Sequence, residues 1–169
     1  MYRPTMTTHP FEEHIPRLRR YASALLRDRT RADDLVQDTL ERGLKKFSLY
    51  RRGTDLRAWL FTIMHNIHVN DVRSATHSRT IPLDDEPVYE AVETDGTSAL
   101  LDLTNALERL DPAQREVVLL VGLEQLSYEE TARVLNIPIG TVMSRLSRAR
   151  ERLSALISGE SVSYLRRVK

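Results

Sequence analysis

The sequence predicts an all-α protein: two small helical domains joined by an extended acidic linker, the second ending in a helix-turn-helix. Three observations predict this fold. Apolar residues make up 41% of the 169 residues but aromatic residues only 6%, and the resulting mixture of Leu, Val, Ile and Ala suits helices better than a β-sandwich. Apolar positions recur at helical spacing on both sides of the middle of the chain, without sustained alternation of period two. The stretch between them contains two prolines and one glycine but no helical stripe, which is typical of a linker.

The distribution of charge divides the chain in the same way. Residues 1–75 hold fourteen Lys and Arg against nine Asp and Glu, residues 76–98 hold one against six, and residues 99–169 hold ten against nine. We therefore predict domains at 10–75 and 99–158, with residues 76–98 as an acidic, flexible linker. The chain has no cysteine, which excludes disulfides and thiolate metal sites.

Three amphipathic segments predict the helices of the first domain. The first runs from Phe11 to Leu26, the second is expected to be capped by Thr30, and the third by Asp55. The predicted buried positions are Ile15, Leu18, Ala22, Leu25 and Leu26 in the first helix, Leu35, Val36, Leu40, Leu44 and Phe47 in the second, and Leu56, Leu60, Ile63, Met64 and Ile67 in the third.

A helix-turn-helix is predicted near the end of the second domain. Ser127 followed by Glu130 is a capping box, so a helix should begin at Tyr128. Residues 136–138 (Asn-Ile-Pro) cannot easily continue it, and a second helix should begin at Ile139 or the next residue. Two helices separated by a break of three or four residues are the arrangement whose second member enters the major groove of DNA.

The second of these helices presents small polar and cationic residues opposite its buried arc. The arc contains Val142, Leu146, Ala149, Leu153 and Leu156. A cationic surface helix without a partner is the alternative, but the capping box, the break and the small-residue face together favour DNA. The candidate DNA contacts are Thr141, Met143, Ser144, Ser147 and Arg148, with Arg145 and Arg152 placed to reach phosphates.

The third helix and the loop before it are a second candidate nucleic-acid site. Asn66, Asn70 and Arg73 lie at i, i+4 and i+7, so they form a polar ribbon that can meet bases and backbone. Loop 47–54 places an aromatic ring beside cations, as a flipped or single-stranded base requires. Alternatively, the Asn residues only solvate a surface and the ring packs on the core. The ring is that of Tyr50, and the neighbouring cations are Arg51 and Arg52.

The sequence gives little support for a metal site or for catalysis. His65 and His68 are at i, i+3, but no third ligand is evident and the H-E-x-x-H spacing is absent, so we predict no metal. The chain has no Gly-rich phosphate loop or nucleophile elbow, so we expect neither an enzyme nor a cofactor or small-molecule substrate.

The mixed-charge face of the second helix is most simply a solvated surface with intrahelical ion pairs. Its residues are Asp34, Gln37, Asp38, Glu41, Arg42 and Lys45.

Three stretches resemble a known family, the extracytoplasmic-function (ECF) sigma factors of bacteria. The stretch that resembles their −35-reading helix-turn-helix is L-S-Y-E-E-T-A-R-V-L-N-I-P-I-G-T-V-M-S-R-L-S-R-A-R. The helix by which such factors grip core RNA polymerase is similar to A-D-D-L-V-Q-D-T-L-E-R-G-L, and their −10-reading helix to D-L-R-A-W-L-F-T-I-M-H-N-I-H-V-N-D-V-R. The resemblance spans about residues 11–156. Met143 stands where many members carry Lys or Arg.

The resemblance implies a role in transcription initiation. A member of this family binds core RNA polymerase, here through the mixed-charge face, and promoter DNA at both candidate sites. It implies that loop 47–54 pockets an extruded −10 base while Asn66 and Asn70 read neighbouring bases. It also implies an anti-sigma partner, a linker that threads towards the polymerase channels, and a cytoplasmic location. Two alternatives stay open: a sigma-like decoy that binds an anti-sigma factor without DNA, and a dimeric helix-turn-helix repressor.

The ends of the chain contribute little to these predictions. The tail 157–169 has no match that we can assign, and Met6 is an alternative start because nothing before it has a structural pattern. No apolar run approaches the ~18 residues of a membrane span, so we expect no insertion into a membrane.

Overall fold

The computed structural model describes residues 9–51, 53–78 and 98–166, and every regular element within these ranges is helical. The prediction of an all-α fold is confirmed. Most of the predicted linker, residues 79–97, lies outside the described residues, so the domain boundaries stay a prediction. The helices are α1 (Ile15–Leu26), α2 (Arg29–Lys46), α3 (Leu56–Ser78), α4 (Ser98–Glu108), α5 (Pro112–Val118), α6 (Tyr128–Leu135) and α7 (Ile139–Arg166), with short 3-10 turns at Glu12–His14 and Phe47–Leu49 and a π turn at Leu119–Leu123.

Helices α1, α2 and α3 pack around one apolar core, largely as the stripes predict. The exception in α2 is Leu44, which is 52% exposed, while Thr39 and Gly43 are buried. The reason is the closeness of the packing at Gly43, where an added Cβ would lie 2.9 Å from Phe11 Cε2 and 3.2 Å from Leu60 Cδ2. Because Gly43 faces the core, the next residue, Leu44, turns outwards.

The start of α2 differs from the prediction. The backbone N–H of Arg31 donates to Asp28 Oδ1 at 3.0 Å, so Asp28 caps the helix and Thr30 lies inside it. The cause is the end of α1, where Arg27 adopts a left-handed backbone with φ of 55°. Only Asp28 then remains outside a helix to act as a cap. The predicted cap of α3 is confirmed, since Arg57 N–H donates to Asp55 Oδ1 at 2.8 Å.

The helix-turn-helix forms where the sequence predicts it. Glu130 N–H donates to Ser127 Oγ at 3.1 Å, and Ser127 N–H donates to Glu130 Oε2 at 2.7 Å, so the capping box is complete. Helix α6 ends at Asn136, whose left-handed φ of 52° turns the chain. Helix α7 then begins at Ile139.

Removal of the capping box should weaken the second domain measurably. We expect Ser127→Ala to lower the free energy of unfolding by about 1 kcal/mol, because one amide at the start of α6 loses its partner. The measurement is urea denaturation followed by circular dichroism. Ser147→Ala is the matched control, since Ser147 is exposed within α7 and caps nothing; an equal loss in the two variants would contradict the prediction.

The two groups of helices lie against each other. Helix α3 contacts α6, and α1 contacts the π turn at Leu119–Leu123, so the buried apolar residues of both groups form one cluster. At this contact the Glu124 side chain is completely buried, and Arg20 Nη2 donates to its Oε1 at 2.9 Å. Arg57 Nη1 donates to the carbonyl oxygen of Glu124 at 3.2 Å. We call the pair formed by Arg20 and Glu124 the interdomain ion pair.

Candidate nucleic-acid interface

The first surface is the exposed side of α7. Val142, Leu146 and Ala149 are buried as predicted, and this orientation turns the opposite side of the helix to solvent. The residues exposed there include Gly140, Met143, Ser144, Ser147 and Arg148. Small side chains near the start of α7 leave room for a groove edge to approach the helix closely.

The cations of α7 are available for phosphates. Arg148, Arg150 and Arg152 are exposed, while Arg145 is half-buried. Among the described residues, no carboxylate lies within ion-pair distance of any of these four arginines. An arginine without a carboxylate partner loses no ion pair when it binds a phosphate, so this side of α7 is suited to an anionic partner.

The second surface is the outer side of α3. Asn66, Asn70 and Arg73 are all exposed, in line along the helix. His65 has a different position: its Nδ1 lies 2.9 Å from Glu116 Oε1 of α5, and it therefore belongs to the contact between the two groups of helices.

His68, three residues after His65, is mostly buried. Burial lowers the pKa of His68 below its ordinary value, and His65 lowers it further, while the carboxylates of Glu116 and Asp71 oppose the shift. His68 therefore favours its neutral form. The described residues contain no group of three or more potential metal ligands.

The loop between α2 and α3 holds its aromatic ring in a cluster. Tyr50 stacks on Phe47, with ring centroids 5.8 Å apart and planes at 7°, and is tilted against Trp59 at 5.4 Å. Its hydroxyl donates to the carbonyl oxygen of Thr54. Tyr50 thus packs on the core while keeping part of its surface exposed, and its role as a base pocket stays a prediction. Arg51 is exposed, and Arg52 lies outside the described residues.

The mixed-charge face of α2 is entirely exposed. None of the ion pairs within the described part of the chain joins two of its residues; its internal contact is a hydrogen bond from Gln37 Nε2 to Glu41 Oε1 at 3.2 Å. Within the described residues, the charged groups of this face therefore make no ion pair that binding of a partner would have to break. Leu44, beside this face, was assigned to the core by the apolar stripe, and its exposure makes it a further candidate contact. The face consists of Asp34, Gln37, Asp38, Glu41, Arg42 and Lys45.

One exposed residue of α7 was missed by the sequence. Ile139 occupies the first position of the helix and is exposed. Its exposure could have been predicted from its position: Ile139 directly follows the turn, and it lies before the first residue of the buried arc of α7. None of the described helices is long and apolar enough to cross a membrane.

Comparison with known proteins assigns one family domain to each group of helices. The model of the Sigma2 domain of PhyR matches residues 11–65, and the model of Sigma-70, region 4 matches residues 100–153. Together these two domains define the sigma-factor class of proteins.

Relatives that match most of the chain define the family within this class. The ECF RNA polymerase sigma factor EcfG of Rhodopseudomonas palustris is 38% identical over 147 residues, covering 85% of this chain and 80% of the relative. SigM of Mycobacterium tuberculosis, also an ECF RNA polymerase sigma factor, is 33% identical over 148 residues, covering 87% and 74%. The solved structure of the sigma factor RpoE of Bartonella quintana, in complex with the anti-sigma factor NepR, matches with a TM-score of 0.73 and 35% identity over 88% of this chain and 94% of that one. The chain belongs to the ECF RNA polymerase sigma factor family.

Proposed function

We propose that this chain binds core RNA polymerase and directs it to promoters by reading a −35 element with α7 and a −10 element with α3. The observation that carries the proposal is the exposed side of α7, which follows a capped helix and a tight turn and carries small polar residues and arginines that pair with no carboxylate of the described residues. The polymerase supplies the catalysis, so the chain itself is no enzyme and needs no cofactor. We place its action in the cytoplasm, where promoter DNA and polymerase are found.

Each exposed surface binds a different partner or promoter element. Base and phosphate contacts at the −35 element come from Thr141, Met143, Ser144, Ser147 and Arg148, with Arg145 and Arg152 on the phosphates. At the −10 element they come from Asn66, Asn70 and Arg73, with Tyr50, Arg51 and Arg52 around an extruded base. The mixed-charge face of α2 docks on the polymerase.

We also propose an anti-sigma partner. RpoE of Bartonella quintana is bound to NepR in its solved structure, and this chain matches that RpoE over nearly its whole length. A partner of the same kind would restrain the free factor by covering surfaces used for polymerase or DNA.

Two other functions make different predictions. A decoy that binds only an anti-sigma factor would have no use for the exposed Asn66, Asn70 and Arg148, and its binding would not depend steeply on salt, as phosphate contacts do. A dimeric repressor would protect a palindromic site in a footprint.

Run-off transcription with purified core polymerase on genomic templates tests the proposal. We expect discrete promoter-specific transcripts that require this protein. A competent core enzyme that gives no such transcript on any template would refute the function.

Arg148 provides a sharper test of α7. We expect Arg148→Ala to weaken use of the −35 element by about 1–3 kcal/mol, that is, about 5- to 150-fold in open-complex formation, if its guanidinium reads a base edge. Arg148→Lys is the matched control because it keeps the charge but loses the bidentate geometry. Full rescue by Lys, or an equal loss on every −35 sequence, would make Arg148 a phosphate contact instead.

A further inference from the structure

The first two turns of α7 carry a pair of exposed apolar side chains. Ile139 is 41% exposed and Met143 is 52% exposed. They are four residues apart, so they neighbour each other along one side of the helix. Over residues 139–152 the remaining exposed positions are Gly, Ser, Arg and Glu. The apolar pair is therefore an isolated feature within a polar face.

Neither side chain of this pair can donate a hydrogen bond to a phosphate or to the acceptors of guanine. The Met143 thioether is only a weak acceptor. Ser144 Oγ, beside Met143, donates to the carbonyl oxygen of Thr141 at 3.1 Å, so in this arrangement its hydroxyl offers a base its acceptor lone pairs. Ile139 and Met143 themselves offer a base edge apolar contact.

The major groove contains one apolar group that matches such a surface. The C5-methyl group of thymine projects there, and cytosine has none. In a helix-turn-helix the N-terminal residues of the second helix are those that meet base edges, and Ile139 and Met143 occupy that end of α7. The flexible, polarizable Met side chain adapts well to a small apolar group.

We propose that Met143, supported by Ile139, contacts the C5-methyl group of a thymine in the −35 element. Promoter choice by this protein then includes one base identified by its methyl group and not by hydrogen bonds. This inference rests on the proposed function, in which α7 lies in the major groove, and adds the base and the chemical group that it reads.

The test separates the methyl group from every other property of the base. The full chain with core polymerase first selects its preferred −35 sequence from duplexes randomised in that region. Each thymine of the selected sequence, on both strands, is then replaced by deoxyuridine, which lacks only the methyl group. At one position we expect open-complex formation to fall about fourfold, as loss of one buried methyl group predicts. Met143→Ala should lower open-complex formation on the thymine template and bring the ratio of open-complex formation on thymine and uracil templates close to one.

Two further variants show that the effect belongs to this side chain. Met143→Leu keeps an apolar group of similar size and should retain most of the discrimination against uracil. Leu103→Ala removes an exposed apolar side chain from α4 of the same domain and should leave the thymine-to-uracil ratio unchanged. Since Met143 is exposed, we expect its variants to keep the native free energy of unfolding within about 0.5 kcal/mol.

Three results would overturn the inference while leaving the proposed function intact: a selected −35 sequence without thymine on either strand, uracil replacements that are all neutral, or discrimination that persists in Met143→Ala. If Met143→Ala lowers transcription equally on thymine and uracil templates, the pair contacts a protein surface and the inference is again wrong. A native protein without any −35 preference would refute the proposed function itself.

Discussion

Replacement of Arg20 by alanine is expected to destabilise the protein by about 3–5 kcal/mol, considerably more than replacement of its partner Glu124 by glutamine. The two residues form one ion pair but lie in different surroundings. The Glu124 side chain has no exposed surface, whereas the side chain of Arg20 is 51% exposed. The energetic result of removing each partner must therefore differ.

The difference follows from which group is left unpaired. Without Arg20, a carboxylate stays buried with Arg17 Nη1 at 3.9 Å as its nearest cation, and its Oε2 has no hydrogen-bond partner in the described structure. A buried charge left with only this one distant cation is strongly destabilising. Without the Glu124 charge, by contrast, Arg20 can turn into water, and we expect Glu124→Gln to lose only about 1 kcal/mol.

A double-mutant cycle measures this asymmetry. Urea unfolding is measured for four proteins: the native protein, Arg20→Ala, Glu124→Gln and the double variant. We expect the double variant to be more stable than Arg20→Ala alone, because glutamine removes the buried charge that the loss of Arg20 leaves poorly compensated. Arg19→Ala, an exposed neighbour, should change the free energy of unfolding by less than about 0.5 kcal/mol. A double variant no more stable than Arg20→Ala would show that the buried charge is not the source of the loss.

Undocking of the two groups of helices sets an upper limit to the loss. If separation is easier than unfolding, Glu124 reaches water by that route, and small-angle scattering of Arg20→Ala should give a larger radius of gyration. An Arg20→Ala protein with both its unfolding free energy and its radius of gyration unchanged would refute the structural role of the pair.

Features that depend on neighbouring residues could be predicted from the sequence. The capping box spans the four residues from Ser127 to Glu130, and the turn at Asn136 needs only a residue that tolerates a left-handed backbone, with a proline two positions later. The buried arc of α7 also follows from its own periodicity. In each case the information that fixes the structure lies within one or two helical turns.

The contact between the two groups of helices could not be predicted in this way. Glu124 pairs with a residue 104 positions earlier, and His65 with one 51 positions later. Both Glu124 and His65 are residue types that are common on protein surfaces. The close approach at Gly43 was missed for a related reason: a glycine adds nothing to an apolar stripe, yet its lack of a side chain is what admits Phe11 and Leu60. Which residues of the two surfaces meet DNA stays a prediction.

Replacement of Phe61 by alanine is expected to lower the free energy of unfolding by about 3–5 kcal/mol. The apolar stripe of α3 omits Phe61, because a helix with a single buried side leaves that position out. Helix α3, however, contacts both α2 and α6, so it is buried over a wider arc. Phe61 is buried and packs edge-on against Tyr21, with centroids 5.1 Å apart and planes at 71°.

The neighbour of Phe61 connects this position to the interdomain contact. Burial raises the pKa of Tyr21 well above its ordinary value, and the carboxylates of Glu116 and Glu124 add to the shift. Tyr21 is thus a neutral, enclosed ring between the two groups of helices. Phe61→Ala removes the ring that packs against Tyr21 and leaves a cavity beside it.

Two variants distinguish packing at Phe61 from a general effect on α3. Phe61→Leu keeps an apolar side chain and should lose less than half as much stability as Phe61→Ala in urea denaturation. Val72→Ala removes an exposed apolar side chain from the same helix and should change the free energy of unfolding by less than about 0.5 kcal/mol. Equal losses for Phe61→Ala and Val72→Ala would mean that the buried ring of Phe61 contributes no more to stability than an exposed side chain of the same helix.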